Sequence, residues 1–335
     1  LTFSSPRSTP APFLSSRRHL DGSITVDIAK KLAELQNIDL EEKDDVKLKR
    51  KFSVQDDCDS LKQFLKCFEL PLKLLQTKEG ITEAVRLIAN RIQTQGVIYA
   101  EFRFAPQLHT QRGMTQEDVI LAAIEGTKKT KLRVNLILCL YRGNEEKKIE
   151  DNKETLELAK KYLNQGIVAI DLVGSESEYK TEDYKDYFLK AREYGIPFTI
   201  HAGEADGPES IRHAIEFGAK RIGHGTKAFE SESVLKLIKE KGIFLEMCPT
   251  SNLMTHTINK IEEFPFMDYL KKGIKVTLNT DDMAIAKTTL AKEFILMEEN
   301  FNLTYEQEKI ILLNSIEASF ATDEVKNDLK KELGL

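Results

Sequence analysis

"IPFTIHAGEADGPESIRHAIEFGAKRIGHGT", residues 196–226, contains one full structural period of this chain. An aliphatic run, IPFTI, ends on the polar group His201-Ala202-Gly203-Glu204. A helical pattern, ESIRHAIEFG, follows and closes on a glycine, as helix C-termini commonly do. A second aliphatic run then ends on Gly223-His224-Gly225. Short, nearly continuous apolar runs separated by an amphipathic helix are what parallel strands joined by crossovers require.

The same grammar extends in both directions. Upstream lie GVIYAEFRFAP (96–106), LRVNLILCLYR (132–142) and GIVAIDLVGSE (166–176); downstream lie GIFLEMCPTSN (242–252) and GIKVTLNTDD (273–282). Stretches such as EDVILAAIEGTKKT and SESVLKLIKEKG separate them, with apolar residues spaced by three and four. Seven strands are thus read, and an eighth is expected immediately before His19. The reading predicts an α/β protein: a single (β/α)8 barrel of the TIM type, with residues 25–95 forming an enlarged helical segment after strand 1. Nearly every unusual polar residue stands where a strand ends. That is the face on which barrel enzymes keep their chemistry, and it favours a barrel over an open doubly wound sheet.

Bulk composition narrows the function. With 335 residues, 41% of them apolar and 31% charged, the chain has the balance of a soluble globular protein. A net charge of −5 argues against a nucleic-acid partner, whose phosphates favour a basic surface. The absence of a long uncharged apolar run argues against a membrane span. Cys58, Cys67, Cys139 and Cys248 form no CxxC pair and are read as free thiols, which points to a reducing, cytoplasmic compartment. The first twenty residues differ, with five serines, three prolines, three arginines and no acid before Asp21. Residues 1–18 are therefore expected to be an anomalous or disordered extension, and residues 19–335 the barrel.

Three of the six histidines, His19, His201 and His224, stand at strand ends, as do the adjacent carboxylates Asp281 and Asp282. Side chains at the tops of different barrel strands converge, and two imidazoles with a carboxylate suit a divalent metal of the zinc type. Any one of these residues alone reads as an ordinary rim residue or helix cap. Their joint occurrence argues for a site.

HLDGS, HAGE, GHGT, CPTSN and NTDD, in this order and spacing, resemble the adenosine deaminase family of metal-dependent barrel hydrolases. The likeness runs from His19 to about residue 320. It implies one divalent metal, with Zn2+ the expected ion, held by His19, His201 and Asp281 and activating a water. It implies Glu204 as the proton donor to the purine ring, which calls for a carboxyl kept neutral by burial. It gives His224 the task of orienting and deprotonating the water, and counts Asp281 with these catalytic groups. Asp282 would bind purine N7, the Gly174 N–H would bind N3, and Asp21 would hold a ribose hydroxyl. Leu61, Phe64, Leu65 and Phe68, on one face of a helical pattern, would form an apolar lid. The implied reaction converts adenosine, and deoxyadenosine, to inosine and ammonia in purine salvage. The implied partners are a small purine nucleoside and water, with neither nucleic acid nor membrane.

The first strand departs from the family pattern. Where the family carries His-x-His, this chain reads Arg17-Arg18-His19. Arginine stays protonated and cannot be a ligand. APFLSS before it is also a poor strand sequence, with a proline and two serines. Three expectations follow: an N-terminus that is not the natural one, a metal-depleted and non-catalytic nucleoside binder, or an active enzyme with Arg17 turned away. Deamination of adenine or another aminopurine is a further alternative on the same barrel.

Overall fold

The strands of this chain follow one another around a single ring in the order in which they occur in the sequence. The computed structural model describes residues 12–54 and 66–335. Its strands are β1 (Phe13–His19), β2 (Val97–Phe104), β3 (Arg133–Tyr141), β4 (Ile167–Val173), β5 (Thr199–Ala202), β6 (Arg221–His224), β7 (Phe244–Met247) and β8 (Lys275–Leu278). All pair in parallel, in two runs, β1 to β4 and β5 to β8. The two seams are single bridges, Ile170 with Phe198 and Arg18 with Asp281. Closure at both seams makes the (β/α)8 barrel that the alternating pattern predicts.

Local sequence explains the elements. β2, β3 and β4 are runs of aliphatic and aromatic residues buried on both faces, because helices cover the outside. Helices start at hydroxyl caps: Thr115 and Asp118 form a reciprocal capping box, and Thr77 accepts from the Gly80 N–H at 3.0 Å. Helices Pro208–Phe217 and Glu232–Lys241 end on Gly218 and Gly242 in the left-handed conformation, which turns the chain into the next strand. Between β1 and β2 lie the helices Val26–Leu35, Asp45–Phe52, Glu69–Leu74 and Lys78–Thr94, as the helical reading of residues 25–95 anticipates.

β1 corrects the expected boundary, because residues 13–18 form barrel strand and not an extension. The strand has few aliphatic residues and is held by other means. Backbone pairing to β2 runs its length. Phe13 stacks on Phe294 with ring centroids 5.1 Å apart, and Leu14 packs with Tyr99, Ile316 and Leu329. The Ser16 hydroxyl donates to Asn279 at 3.1 Å, which ties β1 to the end of β8. The register slips between Ser15 and Arg18, where three steps of β1 face two of β2. Through this bulge both Arg17 and Arg18 become fully buried.

Arg18 is the more costly of the two. Among the described residues its guanidinium bonds to the Ser15 hydroxyl, at 3.2 Å, and the Met283 sulfur, and one terminal nitrogen has no partner. Among the described residues no carboxylate pairs with it, and burial pushes its pKa down to about 10. An unpaired buried charge is strongly unfavourable. Arg18→Met is therefore expected to stabilise the fold by about 1–3 kcal/mol, read as a raised denaturation midpoint in urea.

Glu293, in the helix Leu290–Phe301, is a second buried titratable group. Its carboxylate accepts from the Thr250 N–H at 3.2 Å and from the Thr288 hydroxyl, and burial raises its pKa to about 7. In this range the folded state holds the proton more tightly than the unfolded chain, whose pKa is the ordinary one. The contribution is full below pH ~4.5 and fades as the pH rises through ~7, by up to about 3 kcal/mol. Glu293→Gln should flatten that part of the stability–pH curve, measured by urea unfolding between these two pH values.

Candidate active site

The strand ends deliver their polar residues to one place. His19 ends β1, His201 lies in β5, His224 ends β6, and Asp281 follows β8. One ligand atom from each of His19, His201 and Asp281 lies within 4.8 Å of the others. The His201 ring stands 5.4 Å from that of His19 and 5.5 Å from that of His224, centroid to centroid. His224 and Asp281 both take positive φ, 63° and 56°, a conformation that costs energy for residues with a Cβ. Strain at these two positions is what turns their side chains into the barrel mouth.

Neighbouring groups fix each donor. His201 Nδ1 faces the Asp171 carboxylate at 3.1 Å, which leaves Nε2 for the centre. Burial, together with the charge of Arg17, pushes the His201 pKa down to about 3, so the imidazole is neutral. Burial also opposes protonation of His19, but Asp282 and Asp281 outweigh it and its pKa is raised. Asp281 Oδ2 accepts from the Ser251 hydroxyl at 2.9 Å, and Oδ1 lies 3.3 Å from His19 Nε2. Two imidazoles and an ionised carboxylate at this spacing fit a divalent cation with a position left open for water.

Glu204 and His224 form the adjoining pair, Oε2 to Nε2 at 3.0 Å. Glu204 Oε1 also accepts from Asn252 Nδ2 at 3.3 Å and from the Thr255 hydroxyl at 3.0 Å. Burial alone would keep this carboxyl neutral, as the sequence reading expects. His224 and, further off, Arg17 reverse the sign, and its pKa falls to about 2. These neighbours thus oppose the neutral acid that the resemblance implies for Glu204.

Asp282 shows the opposite effect. Burial, opposed by His19 and reinforced by Asp281 and Asp21, raises its pKa to about 8, and its Oδ1 has no partner. Asp21 stands beside it, its Oδ1 accepting from the Gly22 N–H at 3.0 Å. Gly22 is a close-approach glycine, since a Cβ there would overlap Asp282 Oδ1 at 1.8 Å. Gly174 lies exposed just past β4 with φ 106°. Of the expected lid, Leu61, Phe64 and Leu65 lie outside the described residues. Phe68 is half-buried and packs against a cluster of Val54, Cys67 and Ile285.

Arg17 is the unexpected member of the site. Its Nε donates to Asp281 Oδ1 at 3.1 Å, and its Nη2 lies 2.6 Å from His224 Nε2. A guanidinium can only donate, so this contact requires Nε2 to be an acceptor. The neighbouring Glu204 carboxylate requires the same nitrogen to carry a proton. The two contacts make opposite demands on His224.

Sequence reasoning passed over the residues that hold the functional ones. Glu176 accepts from four successive backbone N–H groups, Gly203 to Asp206, at 2.6–3.0 Å, and from the Ser210 hydroxyl at 2.5 Å. It fixes the turn that carries Glu204. Below the mouth, Arg103 bridges Asp171 at 2.7 Å and Glu246 at 3.1 Å. Arg221 bridges Glu246 at 2.8 Å and Glu101 at 2.5 Å. The available signal was a charge inside an aliphatic run, as in AIDLV, AEFRF and FLEM.

An eight-stranded barrel with convergent imidazoles and carboxylates at the C-terminal ends of its strands defines a hydrolase of the metal-dependent barrel type. Comparison with known proteins narrows the class. The adenosine deaminase family matches residues 12–334. An adenosine deaminase of Haemophilus ducreyi is 44% identical, over 93% of this chain and 92% of its own. Among solved structures, an adenine deaminase from Arthrobacter aurescens superposes with TM-score 0.83 at 25% identity, covering 97% of this chain and 98% of that one. The N6-methyl-AMP deaminase of Arabidopsis thaliana gives TM-score 0.83 at 26% identity, over 97% of this chain and 96% of that one. The chain belongs to the adenosine deaminase family, whose members are metal-dependent hydrolases acting on adenosine-type purines.

Glu176 gives this site its own test. Glu176→Ala strands four backbone donors and is expected to cost about 3 kcal/mol or more, read by urea unfolding. Glu176→Gln, which keeps an acceptor, should lose less.

Proposed function

We propose that this chain hydrolyses the 6-amino group of adenosine and deoxyadenosine, giving inosine and ammonia, as a step of purine salvage in the cytoplasm. The observation that carries the reading is the meeting of His19, His201 and Asp281 beside the Glu204–His224 pair. Relatives at 39–44% identity bear the adenosine name, whereas the adenine and N6-methyl-AMP enzymes stand at 25–26%. That ordering favours the nucleoside over the free base or the nucleotide as substrate.

His19, His201 and Asp281 would hold the divalent cation, Zn2+ being the expected ion. When bound, such a cation supplies the Lewis acidity that makes water nucleophilic near neutral pH. The remaining work falls to the chain. His224, held by Asn252 at 3.1 Å on its other nitrogen, orients the attacking water and takes its proton. Glu204 gives a proton to purine N1, which turns C6 into an electrophile; the purine ring, by excluding water, favours the acid form that this step needs. Asp282, with its unpartnered oxygen, meets N7, the Gly174 N–H meets N3, and Asp21 takes a ribose hydroxyl. Collapse of the tetrahedral adduct at C6 expels ammonia.

With Zn2+ or Co2+ supplied, Glu204→Gln is expected to lower ammonia release by at least ~100-fold while inosine affinity changes only a few-fold. Assaying adenosine, deoxyadenosine, adenine and N6-methyl-AMP side by side checks the substrate class. Preference for adenine would remove Asp21 from its ribose role, and preference for the nucleotide would overturn the nucleoside reading.

A further inference from the structure

We propose that Arg17 is a tethered internal cation that competes with the divalent metal for Asp281, so that this chain holds its metal weakly. The inference rests on the reading above that His19, His201 and Asp281 are the metal's donors, and it deepens that reading.

The buried floor of the barrel holds Arg103 and Arg221 against Glu101, Asp171 and Glu246, and Asp281 stands above them. Among these six groups, two guanidiniums face four carboxylates, an excess of negative charge that attracts a cation. Arg17 supplies one positive charge to the same group. It donates to Asp281 Oδ1 at 3.1 Å and lies 3.7 Å from Glu246, with no exposed surface. Arg17 cancels one unit of that negative charge and so weakens the attraction for a dication.

Geometry sharpens the conflict. Asp281 Oδ2 is taken by Ser251, so Oδ1 is the oxygen nearest His19 and also the one that Arg17 holds. A metal bound to Oδ1 at the usual ~2.1 Å lies no more than about 5 Å from Arg17 Nε. At that range, in a buried site, a dication and a guanidinium repel strongly. Arg17 has little space to withdraw. Its Nη1 lies over Gly223, where even a Cβ would come within 2.1 Å of it. Nη2 meanwhile engages His224, the residue needed to receive a proton.

Titration of the full-length, chelator-stripped protein with Co2+, followed by its d–d absorption and by metal analysis after dialysis, tests this directly. Arg17→Met removes the charge and brings at most a neutral thioether, a weak donor beside imidazole and carboxylate. It should bind one equivalent 10- to 100-fold more tightly than wild type, the scale on which neighbours tune a metal site. Arg17→His should bind at least as tightly as Arg17→Met, and Arg17→Lys should stay weak. If Arg17→Met fails to fold, Arg17→His and the wild-type melting temperature carry the test. Wild type should show no rise in melting temperature at micromolar Zn2+. A wild-type protein that binds one equivalent as tightly as Arg17→Met, or that is stabilised by micromolar Zn2+, overturns the proposal. Failure of the deaminase reading looks different: Arg17→His would load metal tightly yet release no ammonia from any aminopurine.

Discussion

The rest of the structure is organised around a set of ion pairs sealed inside the barrel. Arg103 and Arg221 reach across the lumen to Asp171, Glu246 and Glu101, all without solvent contact. Buried charges are costly unless paired and hydrogen-bonded, so each of these side chains dictates where its partner's strand must lie. Arg103 of β2 thereby ties β4 to β7, and Arg221 of β6 ties β7 back to β2. Two of these pairs, Arg103–Glu246 and Arg221–Glu101, cross between the two four-stranded runs, whose seams are single bridges. The ion pairs lace the two halves together across the lumen.

The same charges tune the mouth of the barrel. Asp171 joins the floor to His201, and Glu246 joins it to Arg17. Any change in the charge of the floor is therefore felt at the donor cluster. Arg17 is that kind of change. It replaces part of the positive charge the floor calls for with a group that has a fixed tether, a fixed single charge and no capacity to accept a ligand. The low pKa of Glu204 belongs to the same picture, because His224 and Arg17 together outweigh burial.

Seven of the strands were legible because their burial on both faces forces an uninterrupted aliphatic run. β1 was only half legible. The need for an eighth strand before His19 followed from barrel closure, but FLSSRR does not look like one. Its inward positions carry arginines, and it is held by backbone pairing, Phe13, Leu14 and Ser16. None of those forces has a period that a sequence pattern can display. Glu176 was illegible for a related reason: its hydrogen bonds run to backbone groups 27–30 residues away.

By itself the sequence determined the alternation of strand and helix, the polar groups at the strand ends and the order in which they enter the site. Those properties are local, set by periodicity, caps and glycines. Only the tertiary structure decided where Arg17 points, which carboxyls carry a proton, and what holds the turn at Glu204. Those depend on electric fields and contacts between residues far apart in the chain, such as Arg17 and Asp281, 264 positions from each other. A charge is written in the sequence, but its energy is fixed by the neighbours that folding brings to it.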